Sequence, residues 1–172
     1  IAPIEDDSSE LEWLLPHAGG TGYYRFSIPF EKWQDLGRNF DALSDAEQLV
    51  TLDSIGAEFA AGRIGVDTVW RFIDEAVRDD ERRVVQAAMR EAGRFSQRVA
   101  GDEVASDGFR ASVIDVFRWR YEALDQVGGD DPEQEILKSS LERFLIQTGE
   151  DLTLRQGLAD AAAAFIGLEG VQ

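Results

Sequence analysis

The sequence predicts an all-α protein, an irregular α-solenoid of antiparallel helix pairs with about seven helices, entered through a short N-terminal β-strand or hairpin. Three observations carry this. From Phe30 almost to the end of the chain, apolar residues recur at three- and four-residue intervals, the period of one helix face. Glycines and capping residues interrupt that period at helix-length spacing. Only residues 23–28 alternate with period two.

The chain is organised around residues 16–28, PHAGGTGYYRFSI, where a glycine cluster runs into two tyrosines and an arginine. Glycines allow a sharp turn before Tyr23, and the next residues place Tyr23, Arg25 and Ser27 on one face of an extended segment. A lone strand cannot satisfy its own backbone, so a partner is expected upstream, either in the Leu11, Trp13, Leu14, Leu15 patch or in a preceding domain. Residues 1–28 therefore read as a linker and β-strand junction from a preceding domain, and residues 29–172 as the helical array.

The helices follow in order. Phe30, Trp33, Leu36 or Gly37, and Phe40 mark the first. Ser44 and Glu47 form a capping box that starts the second near Asp45, with Leu49, Leu52, Gly56, Phe59 and Ala60 inward and Gly62 as a left-handed stop. Asp67 caps the third, whose stripe is Val69, Trp70, Phe72, Ile73, Ala76 and Val77. The fourth turns Val84, Val85, Ala88, Ala92 and Phe95 inward and Arg82, Arg83, Glu91 and Arg94 to water. After a loop over residues 101–108, the fifth carries Phe109, Val113, Val116, Phe117, Tyr121 and Leu124. Gly128 and Gly129 end it. Asp131 caps and Pro132 opens the sixth, with Leu137, Leu141, Phe144 and Leu145 inside. The seventh runs from Asp151 to about Ile166 with Leu154, Leu158, Ala161, Ala162 and Phe165 inside. Short loops between such helices suit HEAT- or armadillo-like pairing, although no constant repeat length is present.

Composition narrows the function. With 172 residues, 44% hydrophobic and 30% charged, the chain can bury a core of its own. A formal charge of -17 repels nucleic-acid phosphates and anionic membranes, so no nucleic-acid partner is expected. No stretch approaches the roughly 18 apolar residues of a membrane span. The absence of cysteine leaves the compartment open, cytoplasmic and periplasmic or secreted locations being equally compatible. The chain begins at Ile1, as a mature product or an excised domain would.

The residues offer little catalytic chemistry. One histidine, His17, and no cysteine cannot assemble a usual zinc site. Ser54 lacks the glycine two residues before it that a nucleophile elbow needs. Gly20, Thr21 and Gly22 begin like a dinucleotide fingerprint, but Arg25 holds the third glycine position and the segment precedes a strand instead of following one. The acidic run around Asp130, Asp131, Glu133 and Glu135 lacks calcium-loop spacing. No catalytic, cofactor or metal residue is assigned. Of the four tryptophans, Trp119, between Arg118 and Arg120 and off the main stripe of its helix, is the candidate for an exposed aromatic contact.

The segment PHAGGTGYYRFSI, with the FEKWQDLGRNFDALSDAEQLVTLDSIGAEFAAGRIGVDTVWRFIDEA that follows, resembles the start of the C-terminal helical domain of zinc aminopeptidases of the aminopeptidase N family. The matching features are Gly22-Tyr23-Tyr24-Arg25, Leu43-Ser44, Ala61-Gly62 and the loop to Asp67; the later helices resemble the same domain more weakly. Two positions depart from the pattern: His17 stands for asparagine, and Ser54 stands for aspartate with Asp53 one place earlier. The family's H-E-x-x-H helix and G-x-M-E-N segment are absent from this chain. The resemblance implies a non-catalytic domain that walls an active-site cavity and gates peptide access. It further implies that upstream catalytic and β-sandwich domains of the same parent hold the zinc and hydrolyse the peptide substrate. It also implies an array truncated at its C-terminal end. A free-standing helical scaffold binding a protein partner through a concave face is the alternative. Tyr23, Tyr24, Arg25 and Trp119 are the expected junction or cavity residues.

Overall fold

The computed structural model describes residues 15–22, 24–99, 101–127 and 131–167. Seven α-helices occupy them: α1 (Phe30–Arg38), α2 (Asp45–Ala60), α3 (Val66–Val77), α4 (Arg82–Val99), α5 (Glu103–Val127), α6 (Pro132–Gln147) and α7 (Leu152–Phe165). The all-α class stands. None of these helices is long and apolar enough to cross a membrane.

The expected strand is absent among the described residues. Residues 24–29 belong to no strand or helix, and a 3-10 turn at Ala18–Gly20 precedes them. Tyr23 and the Leu11, Trp13 and Leu14 patch lie outside the described residues, as do Gly128 and Gly129. The physical reason is that polar groups of the segment find partners on α2 and not in a ladder: Arg25 on Asp53, the Phe26 amide on Ser54 and Ser27 on Glu58.

Local chemistry sets the helix limits. The Ser44 amide and hydroxyl both donate to Glu47 Oε2, at 2.9 and 2.7 Å, so the capping box forms where expected. At the other end of α2, Gly62 takes a φ of +71°, and the Gly62 and Arg63 amides donate back to the Phe59 and Glu58 carbonyls. This is a Schellman closure. Helix α3 is capped by Gly65 and starts at Val66, which moves Asp67 from the cap into the first turn. Helix α5 begins well before the expected end of its loop, because Asp102 accepts from the Ala105 amide (3.0 Å) and carries the helix through Gly108. Asp131 caps α6 through the Glu133 amide, and Asp151 caps α7 through the Leu154 amide, each at 3.0 Å.

The chain divides into two compact units, residues 1–88 and 89–172. In the first, α3 packs on α1 and α2, and its Phe72 meets the rings of Trp33 and Phe40 edge-on at 5.9 and 5.5 Å. Trp33, Leu36, Leu52, Ile55, Val69 and Ile73 are all buried around them. In the second, α6 packs on α5 and α7, with Leu137, Leu141, Leu145, Val113 and Phe117 buried and Phe117 edge-on to Phe144 at 4.9 Å. Glu91, expected at the surface, is 2% exposed and receives Arg94 Nη1 at 2.8 Å. Helix α7 buries none of its residues: Leu154 and Leu158 are half-buried, while Ala161, Ala162 and Phe165, expected inside, are exposed.

Candidate functional site

Helix α2 is unusual in burying polar groups beside its apolar stripe. Gln48, Thr51, Ser54 and Glu58 are buried together with Leu52, Ile55 and Gly56. These four sit three or four residues apart, so they form a second stripe on the same helix. The segment leading into α1 meets Ser54 and Glu58 of that stripe, while Gln48 Nε2 donates to the Phe40 carbonyl at 3.2 Å.

The contacts run along α2 in order. The Gly19 amide donates to Glu47 Oε1 at 2.7 Å. Gly20, at a φ of +60°, lies so close to Ala46 that an added Cβ would stand 2.6 Å from its backbone carbonyl. One turn and more further on, Arg25 grips Asp53 with two bonds, Nε to Oδ2 at 2.7 Å and Nη2 to Oδ1 at 3.0 Å. The next amide, of Phe26, donates to the buried Ser54 hydroxyl at 3.3 Å. The Ser27 side chain then reaches Glu58, which also holds Arg63. Phe26 itself is buried and stacks on Trp33 at 5.2 Å with a 15° tilt. Both positions that depart from the family pattern thus make junction hydrogen bonds: Ser54 accepts from Phe26, and His17 Nε2, on a residue 3% exposed, accepts from the Gly22 amide at 2.9 Å.

The electrostatics follow from these contacts. The Gly19 amide, then the Ser44 hydroxyl and amide, hold the Glu47 carboxyl below its ordinary range, with a smaller contribution from His17. Arg63 does the same for Glu58, against the opposing effect of burial and with help from Ser27. Both carboxylates are kept charged as acceptors. The arrangement is thus a set of hydrogen-bonded acceptors that clamps the segment to α2.

Of the expected junction residues, Tyr23 lies outside the described residues. Tyr24 is 60% exposed and meets His17 edge-on at 4.5 Å, and Arg25 is tied to Asp53. Trp119 belongs to the second unit, on α5, at 37% exposure. Sequence reasoning missed the acceptors Glu47, Asp53, Ser54 and Glu58 as a set. They do not share one stripe by period, and polar side chains on a helix ordinarily face water. Among the described residues, no group of three or more His, Cys, Asp or Glu side chains is gathered as a metal site would require.

Comparison with known proteins agrees with the junction motif. Residues 13–166 match the family model described as the ERAP1-like C-terminal domain. The curated proteins and the solved structures give no significant match. The match spans the junction segment and all seven helices, and the chain belongs to the ERAP1-like C-terminal domain family, the C-terminal helical domain of enzymes of the aminopeptidase N family.

Proposed function

We propose that this domain walls the active-site cavity of a zinc-dependent aminopeptidase and gates peptide entry, while an upstream domain of the same parent hydrolyses the N-terminal residue. The family match supports the aminopeptidase setting. The clamp of residues 17–28 on α2 is the observation that carries the rest. A wall or gate transmits position only if the chain entering it is fixed to its first helices, and Arg25, Phe26 and Gly19 supply that fixation at three levels of α2. Zinc and its ligands are assigned to the catalytic and β-sandwich portion of the parent, together with the peptide substrate. Tyr24, the exposed ring next to the clamp, and Trp119 are proposed as cavity or junction contacts.

The test uses the parent enzyme on an aminoacyl-anilide and on a series of longer peptides, with and without a zinc chelator. A chelator-sensitive activity is expected. Asp53→Asn, which unlocks Arg25, is expected to change kcat/KM for long peptides more than for the anilide. Equal effects on both would remove gating from the proposal. Chelator-resistant hydrolysis by the 172-residue chain alone would overturn the assignment of catalysis to another domain.

A further inference from the structure

His17 is the single histidine of the chain and is buried where residues 17–22 turn against α2. The turn closes on this residue twice. Its carbonyl accepts from the Gly20 amide at 3.2 Å, and its Nε2 accepts from the Gly22 amide at 2.9 Å. An imidazole nitrogen that accepts has its lone pair free for the donor, so the ring is neutral in this arrangement and its proton sits on Nδ1. Nδ1 is itself buried, with no hydrogen-bond partner among the described residues. The space around Nε2 is closed as well, since a Cβ added at Gly22 would stand 2.5 Å from it.

Two neighbours bear on the ring. Tyr24 meets it edge-on at 4.5 Å, and from α2 the charged group that acts on it is Glu47. A carboxylate favours a cation beside it, but both oxygens of Glu47 are already taken, Oε1 by the Gly19 amide and Oε2 by the Ser44 amide and hydroxyl. These bonds are exposed, so solvent screens whatever attraction Glu47 exerts through space. A proton placed on Nε2 turns it into a donor facing the Gly22 donor. The ring then carries two N–H groups without acceptors in a buried site, a costly state that opening to water relieves. Opening reaches beyond the ring, because Gly19, bonded to Glu47, and Gly20, packed against Ala46, lie inside the turn that the ring closes.

We propose that His17 is a proton-sensitive latch: a proton taken from solvent at Nε2 breaks the bond from the Gly22 amide and lets residues 17–22 lift from α2 while the helices stay folded. Histidine is the side chain whose ordinary titration falls between pH 5 and 8. The sign follows from linkage. The docked turn carries no proton at Nε2 and the released turn takes one up, so docking is undiminished above about pH 6.5 and weakens about tenfold per unit as the pH falls below it. The other carboxylates of the junction respond at lower pH, because Glu47 and Glu58 are both held below their ordinary range. The helices stay because Trp33, Leu52, Ile55, Val69 and Phe72, which pack them together, do not titrate.

The experiment measures amide hydrogen exchange of the 172-residue chain at pH 7.5 and 5.5, expressed as protection factors so that the intrinsic pH dependence of exchange cancels. The Gly22 protection factor is expected to fall about tenfold between the two, with those of Leu52 and Ile55 on α2 unchanged. His17→Gln supplies an amide oxygen at about the reach of Nε2 that takes no proton in this range, and its Gly22 protection is expected to be the same at both pH values. The imidazole 15N resonances, unambiguous in a chain with one histidine, are expected to show the proton on Nδ1 at pH 7.5. Equal Gly22 protection in the unsubstituted chain at both pH values overturns the proposal. So does an equal loss at Leu52 and Ile55, which would be unfolding of the unit, or the same tenfold fall in His17→Gln, which would put the titrating group elsewhere. A proton on Nε2 at pH 7.5 overturns it without any variant, so the proposal remains refutable even where His17→Gln fails to fold.

Discussion

Gly20→Ala is the sharpest single test of the clamp between residues 17–28 and α2. Gly20 holds a φ of +60°, a conformation that costs an L-residue about 1–2 kcal/mol. The larger difficulty is space. The new Cβ would lie 2.6 Å from the Ala46 carbonyl carbon and oxygen and 2.8 Å from its Cβ, against ordinary contact distances of about 3.5–4.0 Å. Ala46 is in the first turn of α2 and cannot move without breaking the capping box, so the segment must lift instead. Lifting breaks the Gly19 to Glu47 bond, of a kind worth about 1.5–3 kcal/mol when the acceptor is charged, and less here because the pair is exposed. The total comes to about 2–4 kcal/mol, capped by the docking energy of the segment, since release is always open to it. Gly62→Ala is the matched control. Its φ of +71° demands a similar conformational cost, but nothing lies within 4 Å of the added Cβ, so only that cost of about 1–2 kcal/mol is expected. Urea unfolding measures both values. Hydrogen exchange locates the first, because the Gly22 and Phe26 amides, bonded to His17 and Ser54, should lose protection in Gly20→Ala and keep it in Gly62→Ala. Equal destabilisation by the two variants, with protection unchanged, would refute the close packing of the segment on α2.

Three further outcomes follow from the same structure. A double-mutant cycle with Arg25→Gln and Asp53→Asn should return a coupling of about 0.5–1 kcal/mol, screened by salt, because both side chains are substantially exposed despite their two-bond geometry; a coupling of zero at low salt would contradict it. Glu58 has its pKa lowered from about 4.5, so its contribution to stability is complete above that value and is lost as pH falls through the lower folded value. Glu58→Gln should therefore flatten the acid limb of the stability profile below about pH 4.5 and leave the slope above it unchanged, as measured by urea midpoints across pH. Phe72→Ala removes the ring that Trp33 and Phe40 both contact edge-on. It should cost about 3–5 kcal/mol in urea unfolding, and a loss below about 1 kcal/mol would show that this cluster is not the packing centre of the first unit.

The helices were legible because their signals are local. The Ser44–Glu47 box, the Gly62 stop, and the Asp131–Pro132 and Asp151 starts each act within one turn, and each appears where the residues place it. The errors have a different origin. Asp67 looked like a cap, yet the cap is Gly65, since a short polar side chain in a first turn has the same sequence signature as one at the cap. Gly108 looked like the end of a loop, but the roughly 1 kcal/mol a helical glycine costs is small beside the cap at Asp102 and the packing of the long helix that follows. Phe165 fits the inner stripe of α7 by period, but period fixes only which residues share a face and not whether anything covers it.

The misread strand carries the most information about the site. Alternation over residues 24–28 does sort the side chains: Phe26 goes to the Trp33 ring, while Arg25 and Ser27, its neighbours on either side, reach Asp53 and Glu58 on α2. Period two therefore reported a real two-sided environment. What it could not report was the identity of the covering surface, because a helix carrying Glu47, Asp53, Ser54 and Glu58 offers hydrogen-bond acceptors much as a neighbouring strand offers carbonyls. A strand ladder would have tied these residues to whatever chain lay alongside through backbone groups that any sequence provides. Side-chain acceptors at chosen positions on α2 instead make the attachment depend on particular residues. The register of the junction segment is thus set within this domain by Glu47, Asp53, Ser54 and Glu58, and substitution of those acceptors should shift or release it without unfolding the helices beneath.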